Sequence, residues 1–317
     1  MRRAFWAAIG VALISMVFAG CNNTAQLIIL AGKNGSVDTT ANGRYSSGSI
    51  ITITATADEG YSFVGWSDGN TDNPRTITIG KNDIELYANF ADPKTVDLGL
   101  TSGTLWAKKN VGANYPWNNG SYFAWGETKP KREYTIYNYA FFDLRNIRYG
   151  NINNTITKYC WCDGKNGYKD DIYTLEAIDD AATMNWGPKY RMPTTQDFKE
   201  LINQCYWVWT NDYDGHGVKG YIVYKAKTDS DKGVEVDKDG IPSSSYSLSD
   251  AHIFLPAAGV RQCSELYSDE ACYYWSSSVR TNLNFIVSPL DAEFLTGRDC
   301  WTNEREWGMP VRPVRRP

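Results

Sequence analysis

The chain has 317 residues, more than one domain usually holds, so two folded units are expected. Lys+Arg 32 stands against Asp+Glu 36, and no clustered basic stretch exists, which excludes a charge-built nucleic-acid surface and leaves nucleic acid off the partner list. Tyr 21, Trp 12 and Gly 27 against Met 5 point to short strands, ordered loops and rigid aromatics suited to a contact surface.

Residues 1–20 read as an export signal: Arg2 and Arg3, an apolar run from Ala4 to Phe18, then Ala19-Gly20 before Cys21. The run is shorter than the about 20 residues that a spanning helix needs. A Cys directly after Ala-Gly resembles a bacterial lipoprotein signal. The resemblance implies that Cys21 is acylated and becomes the first mature residue, anchored by two or more acyl chains. The expected location is the bacterial outer membrane, lipid-anchored and facing the cell surface. The following Asn22-Asn23-Thr24-Ala25 lacks an acidic run, which leaves outward and inward faces both open. Residues 21–26 form a tether.

Lipidation leaves Cys160, Cys162, Cys205, Cys263, Cys272 and Cys300 in a compartment that permits disulfides. Six cysteines allow 15 pairings, which sequence leaves open, and a hairpin bridge from Cys263 to Cys272 is one candidate among them. Cys160-Trp161-Cys162 is too tight to close on itself, and it lacks a second half for zinc.

Residues 27–91 carry four strand predictions, 27–30, 49–55, 75–79 and 84–90, punctuated by Gly35, Gly43, Gly60 and Asp68-Gly69-Asn70. Helical periodicity is missing there. The phrase Gly60-Tyr61-Ser62-Phe63-Val64-Gly65-Trp66-Ser67-Asp68-Gly69, then Asn73-Pro74-Arg75-Thr76-Ile77 and a close on Leu86-Tyr87-Ala88-Asn89-Phe90, resembles the divergent internalin-B-type B-repeat of bacterial surface proteins. That implies a small all-β stalk module in which Trp66 plugs the core. Residues 92–95, with Pro93 after the last strand, are expected to be a linker.

Residues 96–317 mix two periods and are expected to form one α+β unit. Thr194-Thr195-Gln196-Asp197 places a hydroxyl cap three residues before an acid, and Phe198, Leu201, Ile202 and Cys205 follow on one helical face. A second helix is predicted from Ile178-Asp179-Asp180-Ala181, ending at Asn185-Trp186-Gly187-Pro188. Beyond Cys205 the text reads as strands and loops, with strands at 220–226, 252–256, 272–276, 284–288 and 311–315.

Seven phrases in order carry a second resemblance: Val96-Asp97-Leu98-Gly99-Leu100 running to Trp106-Ala107, Tyr122-Phe123-Ala124-Trp125-Gly126-Glu127, Asp179-Asp180-Ala181-Ala182, Tyr190-Arg191-Met192-Pro193-Thr194, Phe254-Leu255-Pro256-Ala257-Ala258-Gly259, Tyr274-Trp275-Ser276-Ser277-Ser278 and Val311-Arg312-Pro313-Val314-Arg315. Residues 96–317 thereby resemble the Fibrobacter succinogenes major paralogous domain of Bacteroidota surface lipoproteins, related to the C-type-lectin-like and sulfatase-modifying-factor folds. What the resemblance implies is a C-type-lectin-like α+β unit with two helices and a twisted antiparallel sheet.

Chemistry is sparse. His216, in a Gly-flanked turn, and His252, leading an apolar strand, are the only histidines, and neither sits in a nucleophile motif. The Arg191 and Arg312 phrases are also similar to formylglycine-generating oxidases, but their closely spaced copper-binding Cys pair has no counterpart. Asp179 and Asp180 diverge by about 100° on a helix and do not face one substrate. Arg191, Arg312 and Arg315 are expected in ion pairs pinning the helix and the last strand, with Trp106 and Trp275 in the core. No catalytic residue is therefore assigned. The cofactor set is empty unless Asn211, Asp212 and Asp214, whose Trp209-Thr210-Asn211-Asp212 context resembles the C-type-lectin corner, hold calcium. Binding is expected on Arg280, Asn282, Asn284, Arg298, Asp299, Trp301, Asn303 and Arg305, where amide, charged and aromatic groups gather between framework strands. The expectation is a non-catalytic envelope binding protein or adhesin that presents a lectin-like domain to an extracellular carbohydrate or protein. The alternatives are a structural subunit of a surface assembly and, third, a formylglycine-generating-like enzyme.

Overall fold

A computed structural model of the chain describes residues 23–143, 156–160, 170–267, 270–279, 291–296 and 299–315. It divides into two compact units between Ala91 and Asp92. Cys21, Arg280, Asn282, Asn284 and Arg298, and the strand predicted at 284–288, lie outside the described residues.

Among its described residues the first unit holds strands and one 3-10 turn, Thr39–Ala41. Its main sheet runs Gly43–Ser46, Thr24–Ala31, Ile84–Ala91, Ser62–Trp66. Thr24–Ala31 lies parallel to Ile84–Ala91, with Leu27 opposite Ile84, so the two ends of the module close the sheet on each other. Alternate residues Ala25, Leu27 and Ile29 turn inward onto Ile53, Ile77, Leu86 and Ala88, as a period of two requires. Trp66 is 2% exposed, and its indole N–H donates to the Asp72 carbonyl at 2.9 Å, so it is a core plug with its polar edge satisfied. Gly35 packs under the Phe90 ring, where a Cβ would come within 2.5 Å of ring carbon. The strands Gly35–Val37, Gly43–Ser46 and Ser62–Trp66 were not predicted. They are short and carry too little alternating apolar text to register as a period.

The second unit is α+β and mostly strand, with two α-helices among its described residues. Helix α1 (Ala181–Trp186) follows a 3-10 turn at Ala177–Asp179, and helix α2 is Thr195–Gln204. Thr194 caps α2 by accepting from the Asp197 N–H, while the Asp197 carboxylate accepts from the Thr194 N–H. Phe198 and Leu201 are fully buried against Trp106, Trp207 and Leu255. A four-stranded sheet runs Glu235–Val236, Cys205–Thr210, Gly220–Lys225, His252–Pro256. A second sheet joins Tyr273–Val279, Asp291–Thr296 and Asp299–Glu304.

Three short strands tie the unit's ends together, with Val314–Arg315 and Thr95–Val96 flanking Leu105–Ala107. The stretch read as a linker is thus part of this unit. Asp92 and Thr95 are buried, and the Asp92 carboxylate takes the Arg315 guanidinium at 2.7 Å and the Tyr190 hydroxyl at 2.6 Å. Pro93 ends the preceding strand as expected, but the chain goes straight into a buried ion pair.

Arg191 pairs with Asp197 at 2.6 and 2.9 Å. Arg312 differs from its expectation. Fully buried, it finds no carboxylate among the described residues and instead donates to Asn110 Oδ1, the Ala107 carbonyl and the Phe254 carbonyl at 2.7, 3.0 and 2.6 Å. Trp106 and Trp275 are both core, and the Trp275 indole donates to the Phe123 carbonyl.

The Cys263–Cys272 bridge does not form. Cys263 is exposed, whereas Cys272 points into the core and donates to the Leu255 carbonyl at 3.2 Å. Cys263 itself sits at a left-handed φ of 51° and faces outward, and hairpin spacing in sequence says nothing about that direction. Cys160 and Cys205 are also free and buried.

Candidate functional site

The loop 211–217 is positioned by one residue. Tyr213 is buried and stacked on Phe254 at 4.0 Å, and its hydroxyl meets His252 Nε2 at 2.9 Å. His252 Nδ1 lies 2.8 Å from the Asp250 carbonyl, which only accepts, so Nδ1 carries the proton and Nε2 receives the Tyr213 O–H. Burial pushes the Tyr213 phenol up, which keeps it a donor. With Tyr213 held inward, its neighbours Asp212, Asp214 and His216 face solvent. Asp214 takes a left-handed φ of 53°, and the Gly217 N–H donates to Asp212 Oδ1, so the loop is fixed from both ends.

Against this loop lies a second one. The Tyr115 N–H donates to Asn118 Oδ1 at 3.0 Å and the Asn118 N–H to the Tyr115 carbonyl at 3.1 Å, closing a turn. Trp117 leans on the cluster of Tyr206, Val208, Tyr213 and Phe254. Its ring stacks on His216 at 3.7 Å and 17°, and on Tyr115 at 4.8 Å and 5°. Three near-parallel rings thus form an outward ladder whose end ring, Tyr115, is 55% exposed. Exposed Asp212 and Asp214 stand on the same loop as His216 and supply acceptors beside the rings. Rigid aromatic faces with a few fixed polar groups suit a ligand that is apolar on one side and hydroxylated at its edge.

The residues picked from sequence fall in three places. Asn211 Oδ1 accepts from the Trp209 indole at 3.1 Å, and Asp212 Oδ1 accepts from the Gly217 N–H within the same loop. No group of three or more His, Cys, Asp or Glu positioned for a metal occurs among the described residues. Asp299, Trp301 and Asn303 occupy alternate positions of strand Asp299–Glu304, opposite Thr296, Phe294 and Ala292.

Arg305 is not displayed. It is fully buried, its guanidinium lies over Trp125 at 4.7 Å, and it donates to the Tyr159 carbonyl at 3.1 Å. The chain turns inward after Glu304, and the Trp125 N–H holds the Arg305 carbonyl at 2.7 Å, so the arginine braces the core.

Asp179 and Asp180 also diverge. Asp180 caps α1 through Thr183 N–H at 2.8 Å and takes Met192 N–H at 2.8 Å, while Asp179 receives Lys158 and the Tyr159 hydroxyl.

Tyr115 and Trp117 were missed by the sequence reading. Their signal was the loop text Asn114-Tyr115-Pro116-Trp117-Asn118-Asn119-Gly120, aromatics set among turn formers with no strand period to absorb them. His216 was read as a bare turn residue because its stacking partner lies far away in sequence.

No helix among the described residues is long and apolar enough to cross a membrane. Neither a curated protein nor a solved structure matches the chain. Its residues 25–94, which hold the described strands of the first unit and run just past the break at Ala91, match the family model of the divergent InlB B-repeat domain.

Proposed function

We propose that this is a non-catalytic binding protein of the bacterial cell envelope, lipid-anchored through Cys21 at the outer membrane. In this reading the B-repeat unit is a stalk, and the second unit is a C-type-lectin-like domain that recognises an extracellular carbohydrate. The exposed ladder Tyr115–Trp117–His216 beside Asp212 and Asp214 is the observation that supports it. Stacked aromatics accept the C–H face of a pyranose, and the neighbouring carboxylates accept its hydroxyls. The lectin-like assignment is supported by the two helices and by the pairing of the unit's first and last strands through Leu105–Ala107.

The test is a glycan array probed with the purified protein, with and without calcium, beside Tyr115→Ala and His216→Ala. Both side chains are exposed, so the variants keep the fold. Saturable binding that weakens in both variants is the expected result. Binding that survives both would remove the ladder as the site, and no binding to any glycan would move the weight to a protein partner in a surface assembly.

A further inference from the structure

The ring ladder carries polar groups that the fold leaves unspent. Asp214 is exposed and forms no hydrogen bond or ion pair among the described residues, and exposed Asp212 commits only Oδ1, to the Gly217 N–H. The Trp117 indole N–H and the Tyr115 hydroxyl are likewise without a hydrogen bond among those residues. Lys109 donates to the Asn114 carbonyl at 3.2 Å, at the root of the Tyr115 loop, and pairs with neither carboxylate.

A pocket of about 420 Å³ elsewhere in the second unit is the opposite case. Around it Thr194 both accepts from and donates to Asp197, and Arg191 grips the same carboxylate. Thr183 donates to the Tyr190 carbonyl, Ser277 donates to the Pro193 carbonyl, and Lys189 at the edge has its own partner. Those groups hold the start of α2 and its neighbours together, whereas the ladder's free groups face solvent.

The charge of the free groups narrows the ligand. Asp212 and Asp214 have no cation of the protein's own to answer them, on a loop already fixed by buried Tyr213, so a cation brought by the ligand meets acceptors that need little ordering. A sugar hydroxyl can donate one proton to such a carboxylate. An ammonium makes a charge-assisted bond about twice as strong, and the face of an aromatic ring attracts the same cation. Acidic sugars meet repulsion here, and an acetylated amine has lost the charge.

We propose that the ladder takes a basic saccharide, a hexosamine unit whose amino group is free rather than acetylated. The pyranose face lies on Tyr115, and the ammonium meets Asp214, with Asp212 Oδ2 as the second acceptor. The inference rests on the carbohydrate reading above and names the ligand class of that same site.

The test uses the methyl β-glycosides of D-glucosamine, N-acetyl-D-glucosamine and D-glucose, which differ only at C2. Each is titrated at neutral pH into the purified full chain, Asp214→Asn and Tyr115→Ala, followed by ligand-observed NMR, and a thermal melt confirms that each variant is folded. Asn keeps the shape of Asp214 and tolerates its left-handed φ of 53°. The glucosaminide is expected to bind about tenfold more tightly than the glucoside, as one exposed ion pair and one cation–ring contact predict. The N-acetyl sugar is expected to follow the glucoside. Asp214→Asn should erase most of the preference and leave glucoside binding unchanged, while Tyr115→Ala should weaken all three.

The proposal is overturned if the glucoside or the N-acetyl sugar binds as tightly as the glucosaminide, or if the preference survives Asp214→Asn. In either case, binding that falls with Tyr115→Ala still upholds the ladder as a sugar site, so the two readings fail separately. Glucosaminide binding that ignores Tyr115→Ala is diffuse attraction to an acidic chain and overturns the proposal, as does the absence of binding by all three sugars.

Discussion

Glu306 gives the most quantitative test of the fold. It follows strand Asp299–Glu304, is 7% exposed, and its Oε2 has no hydrogen-bond partner among the described residues. Burial pushes its carboxyl from the ordinary 4.5 up to about 7, the charge of Glu304 acts in the same sense, and Lys131 opposes. Below pH 4.5 both folded and unfolded chains hold this proton, and the residue contributes nothing to the pH dependence. Between 4.5 and 7 the unfolded chain releases it while the folded chain keeps it, so stability falls as pH rises. Above 7 the penalty is complete. At about 1.4 kcal/mol per pH unit, it amounts to roughly 3 kcal/mol.

Glu306→Gln keeps the shape and cannot ionise. The stability of the variant minus that of the wild type is therefore expected to climb from its value near pH 4 by roughly 3 kcal/mol by pH 8. Any pH-independent cost of the amide drops out of that difference. Urea denaturation followed by Trp fluorescence at pH steps across this interval measures it. A difference that stays flat, or that falls with pH, would refute the claim that Glu306 is held protonated by burial.

Two further outcomes follow from buried groups. Asp92→Asn removes the carboxylate that the Arg315 guanidinium grips at 2.7 Å in a buried site, and denaturant titration should show a loss on the order of 3–5 kcal/mol. A cost under about 1 kcal/mol would mean that the two ends of the second unit are not clasped there. Alkylation of the native protein, read by mass spectrometry, should modify Cys263 and spare Cys205 and Cys272, whose thiols burial pushes up to about 12. Protection of Cys263 that is lifted by a reductant would restore the hairpin bridge and contradict the inward direction of Cys272.

Local text was readable where the physics is local. The α2 start was legible because Thr194 and Asp197 satisfy each other's backbone groups over three residues, and Phe198 and Leu201 repeat at the helical period. The α1 start was placed slightly early. Asp180, not the residues before it, is the cap, and Ala177–Asp179 is a 3-10 turn that prolongs the helical signal backward. Trp66 in the first unit was placed in the core by the resemblance of its surrounding text to the B-repeat, and it is 2% exposed. By contrast, Thr95–Val96, Leu105–Ala107 and Tyr122–Phe123 are two or three residues long, too short for any period to show, and exist because distant strands pair with them.

The same division holds for the sites. Sequence alone determined the repeat text that matches residues 25–94, the capped helix, the absence of a nucleophile motif around either histidine, and the polar character of loop 211–217. It pointed to Arg305 as a displayed binder, and the fold buried it over Trp125. It read Arg312 as an ion-pair partner, and the fold surrounded it with carbonyls and an amide. Only the tertiary structure stacked Trp117 on His216, nearly a hundred residues away, and brought Lys189, Thr194 and Ser277 around one pocket. The reason is physical. Caps, turns and periodicity are set by interactions between near neighbours, whereas a side chain's exposure and its partners depend on which distant segments the closed core carries past it.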